Sequence, residues 1–175
     1  MDWRTLVCTV GGALAFGLLP VRFAGDTLAL VAFGAWFVTL IVGLATDLDQ
    51  RVLPDELTLP VIPLALLYAF SGRNPLVDGA LLVAVLAAVL IPAVLYLPSI
   101  PFGAGAFGLG DVKFLAGMGL MLGGELALSA TLFGLIVAGV VLLVLLATRR
   151  IGRRSFVPFG PFLIIGALWA VLIRV

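Results

Sequence analysis

Seven apolar runs follow one another along this chain, over roughly residues 5–21, 27–46, 57–70, 77–97, 112–123, 127–148 and 159–173, parted only by short clusters of Gly, Pro and charge. At about 20 residues per membrane span, seven spans use about 140 residues and leave about 35 for all loops and tails. No soluble second domain fits in the remainder, so residues 1–175 read as a single membrane-embedded domain. Charged residues make up 11% of the chain, under half of the roughly 25% expected of a soluble domain. Backbone groups in lipid must be paired within their own segment, and no period-2 alternation suggests a barrel, so every run reads as a helix. The expected fold is an all-α integral membrane protein, a polytopic bundle of about six to seven transmembrane helices. The third and fifth runs are short, and carry Pro60 and Pro63, and Gly117, Gly119, Gly123 and Gly124. They are expected inside the bundle or across only part of the bilayer. The first run reads as a retained helix, since no small-residue cleavage site follows it before Arg22. No internal repeat is visible.

Composition removes whole classes of chemistry. The chain has no His and one cysteine, Cys8, which reads as a small apolar helix residue. That excludes Ser-His-Asp and Cys-His catalysis, His-ligated zinc, disulfide frameworks and Cys-rich metal sites. No cofactor or metal is expected, and no basic stripe is long enough to follow a nucleic-acid backbone. Carboxylate chemistry remains.

If the runs alternate across the bilayer, one side holds Arg4, Arg51, Lys113, Arg149, Arg150, Arg153 and Arg154, and the other holds Arg22, Arg73 and Arg174. The positive-inside rule places the first side in the cytoplasm of a multi-pass cell-membrane protein. The Arg149–Arg154 cluster reads as an anchor at anionic head groups. Between the fourth and fifth runs, Pro98–Gly110 is too rich in Gly and Pro for a stable helix, and is expected to be a mobile apolar loop that gates a site.

Acids at the ends of spans are costly and therefore functional candidates. Asp47 and Asp49 end the second run, Asp55 and Glu56 open the third, and Asp111 opens the fifth, all at the cytoplasmic edge of the alternating topology. Asp55, after Pro54, reads as a helix N-cap, with Glu56 adding first-turn charge. Asp111 also stands where an N-cap belongs, but after Gly108 and Gly110, which allow close backbone approach. Asp47 has no evident partner. Two carboxylates held close do not both ionise easily, so one keeps a proton and polarises a carbonyl while the other deprotonates water. Lys113, the only lysine, reads as a cation snorkelling to the interface rather than the base of a Ser-Lys protease. A proton- or ion-coupled transporter component would use intramembrane acids too, but predicts them near mid-depth within repeated, broken helices. In a non-catalytic assembly subunit the same acids would only cap helices.

Three strings then stand in order: DLDQRVLPDELTLP from Asp47 to Pro60, GLGD from Gly108 to Asp111 with Lys113 after it, and VPFGPF from Val157 to Phe162. Together they resemble the type IV prepilin peptidases, membrane aspartic proteases of the GxGD type. Presenilin-like enzymes fit less well, since Thr46-Asp47 and PFGP replace their Tyr-Asp and Pro-Ala-Leu elements. The resemblance implies removal of the basic leader from prepilins or pseudopilins at the cytoplasmic face, in the service of a type IV pilus or protein secretion. It implies Asp47 and Asp111 as the catalytic pair, with Asp49 as rival to Asp47. Gly108, Gly110, Lys113, Pro158, Gly160 and Pro161 would support the motifs, and Asp49, Asp55 and Glu56 would meet the basic leader. Many members carry paired CxxC motifs and also methylate the new N-terminus; with Cys8 alone, this chain resembles the short, peptidase-only form.

Overall fold

The structure, a computed structural model, describes residues 2–77, 79–102, 107–150 and 157–174. Among them all regular structure is helical: α1 (Trp3–Arg22), α2 (Thr27–Gln50), α3 (Asp55–Thr58), α4 (Val61–Phe70), α5 (Leu81–Tyr96), α6 (Leu109–Ala147) and α7 (Gly160–Trp169). A 3₁₀ turn over Leu97–Phe102 extends α5, and a π-helical turn over Ala170–Arg174 extends α7. The stretches Trp3–Arg22, Thr27–Gln50, Leu81–Pro101 and Leu109–Ala147 are each long and apolar enough to cross a membrane. The protein is a polytopic helical membrane protein.

The fifth and sixth apolar runs both fall inside α6, where Gly123 alone has non-helical angles (φ 74°, ψ −174°). If the helix ran straight, Asp111 and Gly134 would be about 34 Å apart at 1.5 Å per residue. Instead both lie beside the start of α7. Asp111 shares a pocket with Val157, Pro158 and Phe159, and a methyl on Gly134 would meet the Phe162 carbonyl oxygen at 2.6 Å. Just past Gly123, Glu125 accepts a 3.0 Å bond from Arg174, at the far end of the last helix. The chain therefore doubles back at Gly123, and α6 is two antiparallel arms. Glycine is required there, because a positive φ strains any residue with a Cβ. Asn74, 2% exposed, braces the turn: its Nδ2 donates to the Met121 carbonyl at 2.9 Å, and its Oδ1 accepts from the Leu76 N–H at 3.0 Å.

The first arm of α6 is the centre of the molecule. Leu115, Met118, Leu120, Met121 and Leu122 are all buried, and Gly119 lets the arm lie against the backbone of Ala88 on α5. The expectation that the fifth run lies inside the bundle is met. The third run takes the other course, too short to cross the bilayer: it breaks into α3 and α4 at Leu59 and Pro60, where proline has no N–H to continue the ladder. Then α4 lies on the periphery, with Leu64, Leu67 and Phe70 exposed. The expected irregular loop after the fourth run also begins as a turn of 3₁₀ helix, Leu97–Phe102, a form whose φ suits Pro98 and Pro101. Residues 103–106 of that loop, like Arg153 and Arg154, lie outside the described residues.

The two ends of the bundle are tied differently. At one end Arg4 pairs with Asp49 at 2.8 Å and Lys113 pairs with Asp55 at 2.6 Å. At the other, Arg22 donates to the Val171 carbonyl at 3.2 Å.

Candidate active site

Helix α2 ends in a left-handed cap. Arg51 has φ 58°, and its N–H bonds the Asp47 carbonyl at 3.0 Å. Arg51 takes the place that glycine usually holds after a helix, and it turns the chain sharply toward α6. Asp47, in that last turn of α2, is 4% exposed, and its Oδ2 is buried without a hydrogen-bond partner among the described residues. Leaving a buried carboxylate oxygen unpaired is costly.

Asp111 comes from the start of α6. Gly108 is the N-cap of that helix, and Asp111 lies inside its first turn, so the N-cap expected at Asp111 is displaced by three residues. From there its carboxyl folds back toward Gly108, where a Cβ would stand 3.3 Å from Asp111 Oδ2. Asp47 and Asp111 line one pocket of about 250 Å³ with Arg51, Val52, Leu53, Gly110, Pro158 and Phe159. Phe107 and Phe159 pack beside it with ring centroids 5.7 Å apart. Gly160, the first residue of α7, closes in on Asp47: a methyl there would come 2.5 Å from Oδ2. Pro161 follows in the first turn, where its missing N–H costs nothing. Among the described residues no three acidic or cysteine side chains converge as a metal site would need.

The other acids are dispersed. Asp49 is about 200° around α2 from Asp47. It faces α1, pairs with Arg4 and lines a separate cavity with Thr5, Cys8 and Thr9. Asp55 is the first residue of α3, with Pro54 as the cap, because its carboxylate is engaged by Lys113 instead of the helix's own N–H groups. Lys113 is accordingly paired rather than simply snorkelling. Glu56 stands at the mouth of an apolar groove between α2 and α4, lined by Trp36, Leu64 and Tyr68. The three acids expected to meet a leader thus look in three directions. Six pocket residues, Arg51, Val52, Leu53, Leu109, Val157 and Phe159, escaped the sequence reading as site residues. For Val52 and Leu53 the available signal was an apolar pair in the short link between two acid pairs.

The model of the type IV leader peptidase family matches residues 34–148. The chain belongs to that family. It is similar to the prepilin leader peptidase/N-methyltransferase of Burkholderia pseudomallei strain 1026b, at 35% identity over 92% of this chain and 52% of the relative. Similar matches are the proteins of the same name from Pectobacterium carotovorum subsp. carotovorum (30%, over 96% and 59%) and Pseudomonas aeruginosa PAO1 (31%, over 72% and 43%). The chain spans about half the length of the curated relatives it matches. No solved structure matches it. The region matched by the type IV leader peptidase family contains both pocket aspartates. Neither family membership nor the position of these acids, at helix ends rather than mid-depth, favours the transporter reading.

Proposed function

We propose that this chain is an aspartic endopeptidase that removes the basic leader from type IV prepilins or pseudopilins, using Asp47 and Asp111 to activate water. The observation that carries the reading is that these two acids, from different helices, line one pocket, with Asp47 buried and its Oδ2 unpartnered. In the proposed reaction one carboxylate takes a proton from water while the other carboxyl, still protonated, donates to the scissile carbonyl oxygen. The water's oxygen bonds to the carbonyl carbon. Collapse of the tetrahedral intermediate expels the amine, which receives a proton from the pair.

The pocket lies where α2 ends and α6 begins, so a peptide bond at the bilayer surface reaches it without unwinding deep in lipid. Arg4, Arg51, Lys113, Arg149 and Arg150 belong to this end, against Arg22, Arg73 and Arg174 at the other. That imbalance supports a cytoplasmic site in the cell membrane. We propose the whole chain as one peptidase domain that acts on a pilin-like partner within the bilayer and uses no cofactor. The relatives' names pair two activities, and this chain matches about half of their length; with Cys8 in an apolar helix as its one cysteine, the reading is confined to the peptidase.

The test is leader removal from a purified prepilin by the reconstituted full chain. Asp47→Asn and Asp111→Asn should each lower kcat/KM by about 10²- to 10⁴-fold, while Asp49→Asn stays near wild type. Substantial cleavage by either of the first two variants would reject the mechanism.

A further inference from the structure

Leu53 sits in the short link between α2 and α3 and is 7% exposed. Three glycines from three helices close on it. A methyl at Gly43 of α2 would come 3.2 Å from Leu53 Cδ2, at Gly110 of α6 3.0 Å from its Cβ, and at Gly160 of α7 3.2 Å from its Cδ1. These are the helices that build the pocket. Gly43 stands one turn before Asp47, Gly110 immediately precedes Asp111, and Gly160 abuts Asp47 itself. Leu53 meets α6 through its Cβ and its carbonyl oxygen, and meets α2 and α7 through its two methyls, so the reach of the side chain from Cβ to those methyls spans the gap between α6 on one side and α2 and α7 on the other.

We infer that Leu53 is a positioning residue, a wedge whose bulk sets the separation of Asp47 and Asp111. Its own place is held from both sides. Upstream, Arg51 caps α2 through the Asp47 carbonyl. Downstream, Pro54 has its ring-fixed φ of −63°, and Asp55 is tied to Lys113 on α6. The wedge therefore cannot withdraw without breaking the cap or the ion pair. Leu53 also forms part of the wall between the aspartate pocket and a small internal cavity lined by Gly43, Thr58, Phe114 and Ile164, so truncating it removes support on the side away from the acids. Two carboxylates that share one proton and one water depend steeply on their separation, and a misplacement of about 1 Å costs about 10²-fold in rate.

The inference rests on the two-aspartate reading for its consequence but not for its geometry, and the experiment separates the two. In a Cys8→Ser background, which removes the chain's one native thiol, Asp47→Cys and Asp111→Cys are joined with thiol cross-linkers of two lengths in the reconstituted full chain. Leu53→Ala should change the ratio of short to long cross-link at least about threefold, Leu53→Val less, and Leu53→Met least, following side-chain bulk. Leu122→Ala, an equal truncation at a fully buried position on the far part of the first arm, should leave the ratio unchanged. In the chain that retains both aspartates, Leu53→Ala should lower kcat about 10- to 100-fold with KM within about twofold, and Leu53→Met should recover most of it. A cross-link ratio indifferent to residue 53, or moved equally by Leu122→Ala, overturns the wedge. If wild type removes no leader, the peptidase reading fails while the cross-link ratio still decides the geometry. If Leu53→Ala does not fold, the ordering of Leu53→Val and Leu53→Met against wild type decides instead.

Discussion

Asp47, Asp49 and Asp55 lie within nine residues of sequence and have three unlike environments. Asp47 is buried with an oxygen unpaired, Asp49 is exposed against Arg4, and Asp55 is held by Lys113 at 2.6 Å. Helix phase separates the first two, and the sharp turn at Arg51 carries the third across to α6. The exposure of the two ion pairs limits each to about 0.2–1 kcal/mol. This bears on leader capture. Among the described residues Glu56 makes no ion pair, so of the three acids expected to meet a basic leader it is the one left unpaired. Glu56→Gln should raise KM about two- to fivefold at low salt, with the effect fading as salt is added. Asp49→Asn and Asp55→Asn should lower thermal stability slightly and leave KM nearly unchanged. Steady-state kinetics at two ionic strengths, with melting of each variant, checks both statements.

The decisive element is α6, a helix-turn-helix hairpin pivoting on one glycine. Its first arm presents Asp111 at one end and is braced by Asn74 at the other. A methyl at Gly123 would be strained by φ 74° and would sit 3.3 Å from the Leu76 carbonyl oxygen. Gly123→Ala should therefore destabilise by about 1–2 kcal/mol, and Asn74→Ala, which strips a buried carbonyl of its donor, by about 1–3 kcal/mol. Both should appear as lower melting temperatures in detergent, with kcat per folded molecule little changed because neither residue touches the pocket. The second arm packs Gly134 and Ala130 against α7, which in turn delivers Gly160 to Asp47. One hairpin thus positions one acid directly and the surroundings of the other through a neighbour.

For the whole molecule, the proposed pocket is built at one end of the bundle from segments distant in the chain: the end of α2, the start of α6 and the approach to α7. Exposed apolar side chains such as Leu14, Val31, Leu67, Val94 and Leu143 coat its outside, as a lipid-facing surface requires. If residues 1–175 form a complete peptidase domain, the purified chain should release the leader unaided. With S-adenosylmethionine added, mass spectrometry of the product should find an unmethylated N-terminus. A methylated product would overturn the peptidase-only reading, and absence of cleavage would overturn the peptidase reading itself.

Much of this was legible beforehand. Successive apolar runs, several of them long enough to cross a bilayer, and the scarcity of charge dictate helices in lipid, because backbone polar groups there have no other partners. Asp47 and Asp111 stood out as acids at the ends of such runs, and Gly108 and Gly110 as positions where the backbone can approach closely. What needed tertiary structure was everything that depends on three segments meeting. Local pattern separated the fifth and sixth runs and set them on alternate passes, as the fold back at Gly123 has them; that the turn is made by this one residue, with no loop between the arms, came only with the structure. Local pattern left the third run either inside the bundle or across only part of the bilayer; packing put α4, a helix too short to span, on the surface. It treated Asp55 and Lys113 as a cap and a snorkelling cation, and only the crossing of α3 over α6 makes them a pair. Leu53 was one more apolar residue in the sequence. Its place between three glycines exists only once three helices have converged, since a side chain's role as a spacer is a property of what lies on both sides of it.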